Sequence, residues 1–219
     1  MTVFDIIGPI MIGPSSSHTA GAVRIGRTAR KILNDKPVSA RILLSGSFAQ
    51  TYRGHGTDKA LIAGIMGFHS HDERIPKALE IAKEEGIEYS FEITDIPDSH
   101  PNTACVELKG ENGTTCIIRG SSIGGGNIVI TEINGQAVFF TGQYNTLLVI
   151  HQDRPGTIAA VTEYMARSNI NIGNFRLSRL MRGGEAVMAI EIDGGVDDEI
   201  INNLRKVKNV TKVILIRAI

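Results

Sequence analysis

The last third of the chain carries a rhythm that few folds can accommodate. From Asn145 the residues NTLLVIHQ read as a strand, PGTIAAVTEYMARSN as a helix with Pro155 near its first turn, and INIGNFRLSRL as a strand. GEAVMAIEID is a further strand, DDEIINNLRKV a helix and VTKVILIRAI a final strand. The order βαββαβ builds one antiparallel sheet with two helices on one face. A unit this small leaves most of the 219 residues to something else. A boundary is expected in Thr141-Gly142-Gln143-Tyr144-Asn145, giving one domain over 1–143 and another over 146–219.

The first domain reads as α+β. A helix follows the serine run, with Ser16 or Ser17 as N-cap and Ile25, Ala29, Ile32 and Leu33 on one stripe. Arg24, Arg27 and Lys31 fall on another face, and Gly21, Ala22 and Gly26 leave a smooth flank for a close backbone neighbour. VSARILLSGS reads as a strand, a second helix begins near Thr57, and IPKALEIAKEEG is a third helix stopped by Gly86. Short strands follow, IEYSFEI, NTACVEL, GTTCIIRG, NIVITEI and QAVFF, with Asn134-Gly135 a strong hairpin signal.

Charge and cysteine content narrow the function. Lys and Arg total 23, as do Asp and Glu, so the basic footprint needed for nucleic acid is missing. Along the chain the charge is uneven: residues 1–60 hold 8 basic and 3 acidic side chains, residues 72–111 hold 4 and 11. Solvated helix faces account for such drifts, and so does a basic quarter facing an anionic substrate or partner. No apolar run reaches the roughly 20 residues of a membrane helix. MTVFDIIGPIMIGP lacks a basic n-region, so a cytoplasmic protein is expected. Cys105 and Cys116 lie in β-like runs without metal spacing and read as reduced core thiols.

Two stretches carry chemistry. GPSSSHTAGAVRIG, residues 13–26, places hydroxyls and His18 ahead of a helix between glycines. YRGHGTDKALIAGIMG, residues 52–67, repeats the arrangement, with His55 between Gly54 and Gly56, Thr57 as cap and Asp58 in the first turn. Small donors and helix N-terminal N–H groups suit an anion, and histidine exchanges protons near neutrality. An ordinary capped helix with an incidental histidine explains either loop alone equally well; converging, they would form a small anion pocket. His69 and His71 make an i, i+2 pair that could bind a metal, but the surroundings favour a solvated loop. His100-Pro101-Asn102 reads as a turn entering a strand. Gly124-Gly125-Gly126 lacks the context of a phosphate loop and suggests close backbone approach between domains.

HQDRPG after a strand, then a helix, then NINIGNF resembles the ACT domain, a small ligand-sensing module of amino-acid metabolism. By that resemblance an effector such as serine would sit between paired domains, held by His151, Asp153 and Asn171. Asp153 departs from the Asn of related phosphoglycerate dehydrogenases; an ionised carboxylate only accepts hydrogen bonds, so ligand preference would change. A module that only dimerises explains the pattern as well.

PSSSHTAGAVR with GHGTDKA, the HPNT tetrapeptide at 100–103 and GSSIGGG at 120–126 resemble the beta chains of bacterial iron–sulfur L-serine dehydratases, over the whole chain. The resemblance implies an allosteric-substrate-binding-type domain over 1–143. It also implies an alpha-chain partner whose three cysteines hold a [4Fe–4S] cluster, and deamination of L-serine to pyruvate and ammonia. Two cysteines cannot supply that cluster, so no metal is expected on this chain. Ser16, Ser17, His18, Thr19 and His55 would bind the substrate across the interface, with His18 and His55 the candidates for proton abstraction. The rival reading is a non-enzymatic amino-acid-binding regulatory subunit.

Overall fold

The structure, a computed structural model, describes residues 10–218. They fall into two compact units divided between Asn134 and Gly135. The first contains α1 (Gly21–Leu33), β1 (Pro37–Ser45), α2 (Gly46–Thr51), α3 (Thr57–Met66) and α4 (Ala78–Glu84). It continues with β2 (Glu88–Ile93), β3 (Asn102–Gly110), β4 (Thr115–Gly124) and β5 (Asn127–Ile133). Strand order within it is β2-β1-β3-β4-β5, with β1 and β2 parallel and the other pairs antiparallel.

One sheet face is apolar because every second residue is. Ala40, Ile42 and Leu44 of β1, Ala104, Val106 and Leu108 of β3, and Cys116 and Ile118 of β4 are all buried. The stripe Ile25, Ala29, Ile32 and Leu33 of α1 is buried too, and α1 packs on β3, β4 and β5. Every residue of α3 except Lys59 is buried, as expected of a helix that is apolar on all sides.

The expected close approach on the flank of α1 is made by α3. A Cβ on Gly26 would overlap the Leu61 carbonyl oxygen, and one on Gly64 would overlap that of Val23. Further along, Arg30 Nη1 donates to Ile65 O at 3.0 Å. His18 and His55, just ahead of the two helices, are in contact, and Gly67, just beyond α3, lies against the Arg30 side chain near the end of α1, so α1 and α3 run the same way, with their N-terminal ends side by side.

Several local expectations need correction. A π-type turn over Ser16–Ala20 precedes α1, and Ser15, not Ser16 or Ser17, caps it, accepting from His18 N–H at 3.4 Å. Gly56, in the left-handed region at φ 69°, occupies the N-cap position of α3 with no side-chain bond, so Thr57 lies inside the first turn rather than capping it. The strand expected over VSARILLSGS stops at Ser45, and Gly46-Ser47 open the unforeseen α2. Gly124-Gly125-Gly126, all with positive φ, turn β4 into β5 within one sheet. Gly126 O there accepts from Arg24 Nη1 at 2.6 Å.

The second unit contains β6 (Gln136–Phe140), β7 (Asn145–Gln152), α5 (Thr157–Arg167), β8 (Ile172–Arg179), β9 (Glu185–Ile192), α6 (Asp198–Arg205) and β10 (Val210–Ile216). From β7 onward this is the βαββαβ order, in a sheet β10-β7-β9-β8 with every pair antiparallel. Val161 and Met165 of α5 and Ile201 and Leu204 of α6 share one core with Leu147, Val149, Met188, Ile190, Val213 and Leu215. The β6 strand lies against β8 and β9. Just past it, Thr141 N–H donates to Glu191, which also accepts from Asn174 Nδ2. Among the described residues no helix is long and apolar enough to cross a membrane.

The glycine crossing yields a stability prediction. In an open helix Gly→Ala gains up to about 1 kcal/mol, but here the methyl meets a backbone carbonyl. Gly26→Ala and Gly64→Ala should each destabilise by roughly 1–3 kcal/mol in urea unfolding. The double variant should lose less than the sum, because one separation of the helices relieves both clashes.

Candidate active site

Because α1 and α3 start side by side, the loops preceding them meet. The His18 and His55 rings contact edge to face, with centroids 4.7 Å apart and planes at 87°. Phe48 closes a second side of His18 at 5.2 Å. Hydroxyls engage both His18 nitrogens: Ser17 Oγ lies 3.0 Å and Ser15 Oγ 3.5 Å from Nδ1, and Ser47 Oγ lies 3.3 Å from Nε2. Ser15 and Ser17 Oγ are themselves 3.2 Å apart. His18 is buried, whereas His55 is exposed, and no hydrogen bond engages the His55 ring among the described residues. One imidazole is thus fixed and the other open to an incoming molecule.

The remaining expected residues divide. Ser16 uses its backbone carbonyl to accept from Gly21 N–H and brings no hydroxyl to His18. Thr19 is buried, its side chain against Gly13 and its hydroxyl without a partner. Thr57 Oγ1 is likewise buried and unpartnered at the head of α3. Beside it, burial pushes the Asp58 carboxyl above its ordinary range, against a bond from Lys59 N–H that lowers it.

Ser47 and Phe48 were missed because they lie in a segment whose alternation looks like strand. The one available signal was Ser45-Gly46-Ser47, a glycine between hydroxyls at a strand end. The HPNT turn holds this corner: Phe48 N–H donates to Pro101 O at 3.3 Å, and Gly46 bridges to Asn102. Gly46 has φ 58°, and a Cβ there would press into the Pro101 carbonyl. Thr103 ties the same turn to GSSIGGG, its hydroxyl 2.6 Å from His100 O and 2.7 Å from Ser121 Oγ.

His69 and His71 stack at 5.5 Å on an exposed loop. Among the described residues no group of three or more His, Cys, Asp or Glu side chains could hold a metal ion. Both cysteines are free. Cys105 pairs across the ladder with Arg119 and Cys116 with Leu108, which puts the thiols on opposite faces of the sheet. They can neither join each other nor share one metal centre, so a three-thiolate cluster does not fit this chain.

In the second unit His151 is buried; its Nδ1 lies 2.9 Å from Gln152 O and its Nε2 has no partner. Asp153 is engaged by Gly183 N–H at 3.0 Å and by Arg179. These two, in that order, hold its carboxyl below the ordinary range. Asn171 donates to Asp193 at 2.6 Å. The ladder sets His151 opposite Ala186 and Ile172 opposite Ile192, so Asn171 lies at the other end of the sheet, roughly 20 Å away at 3.3 Å per residue. One chain does not bring the three together.

His18 makes stability depend on pH. Burial first, and His55 second, hold its imidazole below the ordinary 6.5. The unfolded chain therefore binds a proton at higher pH than the folded one, so this contribution is complete above about 6.5 and is lost as pH falls toward the folded value. Urea unfolding at a series of pH values should show stability falling by at most about 1.4 kcal/mol per pH unit from this ring. His18→Gln should flatten that stretch of the curve.

Residues 2–90 match the family described as serine dehydratase beta chain, and residues 147–212 match the AHAS small subunit-like ACT domain. The probable L-serine dehydratase beta chain of Bacillus subtilis is 47% identical over 212 residues, 97% of this chain and 96% of that one. The L-serine dehydratase beta chain of Peptoniphilus asaccharolyticus is 40% identical, over 88% of this chain and 87% of its own. The D-3-phosphoglycerate dehydrogenase of Bacillus subtilis is 26% identical over 89% of this chain but only 37% of its own length. At that identity and near-complete mutual coverage, the chain belongs to the L-serine dehydratase beta-chain family.

Proposed function

We propose that this chain is the beta subunit of a cytoplasmic L-serine dehydratase, a lyase releasing pyruvate and ammonia, and that its two histidine loops complete the active site against an alpha chain. The observation that carries the reading is the edge contact of His18 and His55, 37 residues apart in sequence and 4.7 Å apart in space. Packing alone does not ask for a buried imidazole with hydroxyls on both nitrogens beside an exposed one with neither engaged. The [4Fe–4S] cluster implied by the family belongs, in this reading, to the cysteine-bearing alpha chain.

Each group has work suited to its surroundings. The hydroxyls of Ser16 and of the unpartnered Thr19 offer donors to the substrate carboxylate, while Ser17 holds the His18 ring. His18, held neutral by burial, orients and hydrogen-bonds. His55 is accessible and can receive the proton that leaves the substrate's α-carbon, a role for which His18, with both nitrogens engaged by hydroxyls, is less suited.

Reconstitution tests this. The chain co-expressed with its cysteine-bearing alpha chain should turn over L-serine, and neither chain should do so alone. His55→Ala in the complex should lower kcat by at least about 100-fold, the low end of general-base contributions. A purely regulatory subunit would instead keep basal turnover and lose only its response to effector.

We further infer that the second unit pairs with a second copy of itself and binds a small amino acid between His151 and Asp153 of one chain and Asn171 of the other. The buried, unpartnered His151 Nε2 supports a ligand that brings a donor. Arg179 already neutralises Asp153, so a ligand ammonium must compete with it. Calorimetric titration with L-serine should therefore detect weak binding, strengthened in Arg179→Ala and abolished in His151→Ala.

A further inference from the structure

The hydroxyl cluster around His18 contains a defined set of hydrogens, and their distribution determines which group can still donate. On the Nδ1 side three donors meet: His18 N–H, Ser15 O–H and Ser17 O–H. The contacts join them in series, His18 N to Ser15 Oγ at 3.4 Å, Ser15 Oγ to Ser17 Oγ at 3.2 Å and Ser17 Oγ to Nδ1 at 3.0 Å. With a lone pair on Nδ1 there are three acceptors for three donors: N–H to Ser15, Ser15 to Ser17, Ser17 to the ring. With a hydrogen on Nδ1 four hydrogens crowd two oxygens, and one hydroxyl of the half-buried pair is left pointing at no acceptor.

A neutral imidazole carries a single N–H, and burial together with His55 keeps this ring neutral near pH 7. If Nδ1 accepts, Nε2 donates, and the group it meets is Ser47 Oγ at 3.3 Å. Ser47 then receives a hydrogen bond from the ring and retains its own hydrogen. A hydroxyl that accepts one hydrogen bond donates a stronger one, because the chain polarises in a single direction.

We propose that Ser47 is a substrate-contacting donor of this site, which passes the polarisation of the Ser15–Ser17–His18 series to the carboxylate of a small α-amino acid. The corner that carries it is built to hold it still. Gly46 is pressed on Pro101, Phe48 N–H is bonded to Pro101 O, and Thr51 Oγ1 donates to Ser47 O at 2.8 Å. HPNT thereby acts at a distance, by fixing the residue that touches substrate. The ligand class rests on the dehydratase reading; the hydrogen order does not.

Two measurements separate these. Long-range nitrogen–proton NMR correlation on the intact labelled chain at pH 7.5 reads the His18 tautomer directly. A hydrogen on Nε2 is expected, and one on Nδ1 overturns the proposal whatever the chain catalyses. In the assembled dehydratase, Ser47→Ala should raise KM for L-serine about tenfold with kcat changed less than threefold, and Ser47→Thr should restore KM. An unchanged KM in a folded Ser47→Ala complex also overturns it. Absence of turnover in the wild-type complex would count against the dehydratase reading and leave the tautomer result standing.

Discussion

The crossing of α1 and α3 is the constraint on which the candidate site depends. Two helices approach so closely only where neither carries a side chain at the contact, and Gly26 and Gly64 meet that condition reciprocally. Because the helices run the same way, closeness at the crossing is carried back to their N-terminal ends, where His18 and His55 stand. The site is thus a consequence of packing one layer below it. A methylene-scale change eight or nine residues from the histidines would move the loops apart, and reacting groups misplaced by about 1 Å lose activity steeply.

The two histidine stretches were legible because glycine, hydroxyl and histidine cluster within each of them, and the expected smooth flank of α1 met its partner. What stayed illegible was set by geometry across the chain. Ser47 lies 29 residues from His18, at the end of a segment whose alternation ends only where Gly46 takes a left-handed conformation against Pro101. The N-cap moved to Ser15 because a π-type turn intervenes before α1, and no propensity distinguishes three consecutive serines. The glycine triplet suggested close backbone approach between domains. It proved to be a strand-to-strand turn whose carbonyl takes Arg24, a contact spanning about a hundred residues.

From β7 onward the second unit was legible almost element by element, since these strands and helices share a single core. The β6 strand, expected in the first domain, falls in the second unit because the division comes at Asn134-Gly135 rather than within 141–145. The unit's ligand chemistry was not legible, because the sheet separates the residues concerned. Residues that a resemblance groups together stand at opposite ends of one sheet. Asp153 shows the same limit from another side. As a residue type it promises an acceptor, but Arg179 and Gly183 N–H already occupy it, so its availability depends on a neighbour 26 residues away.

The two cysteines lie on neighbouring strands of the first unit. A pair of thiols on adjacent strands suggests either a disulfide or part of a metal site until the pleat is considered. Leu108 faces Cys116 and Arg119 faces Cys105 across the same ladder, and one of those faces is apolar and the other charged. The fold therefore turns the thiols away from each other as firmly as it turns the histidines together. The chain thus gathers hydroxyls and imidazoles at one corner while dispersing its thiols. The exposed His55 stands beside the buried imidazole of His18 with its ring unengaged among the described residues, the one group of the pair open to an incoming molecule.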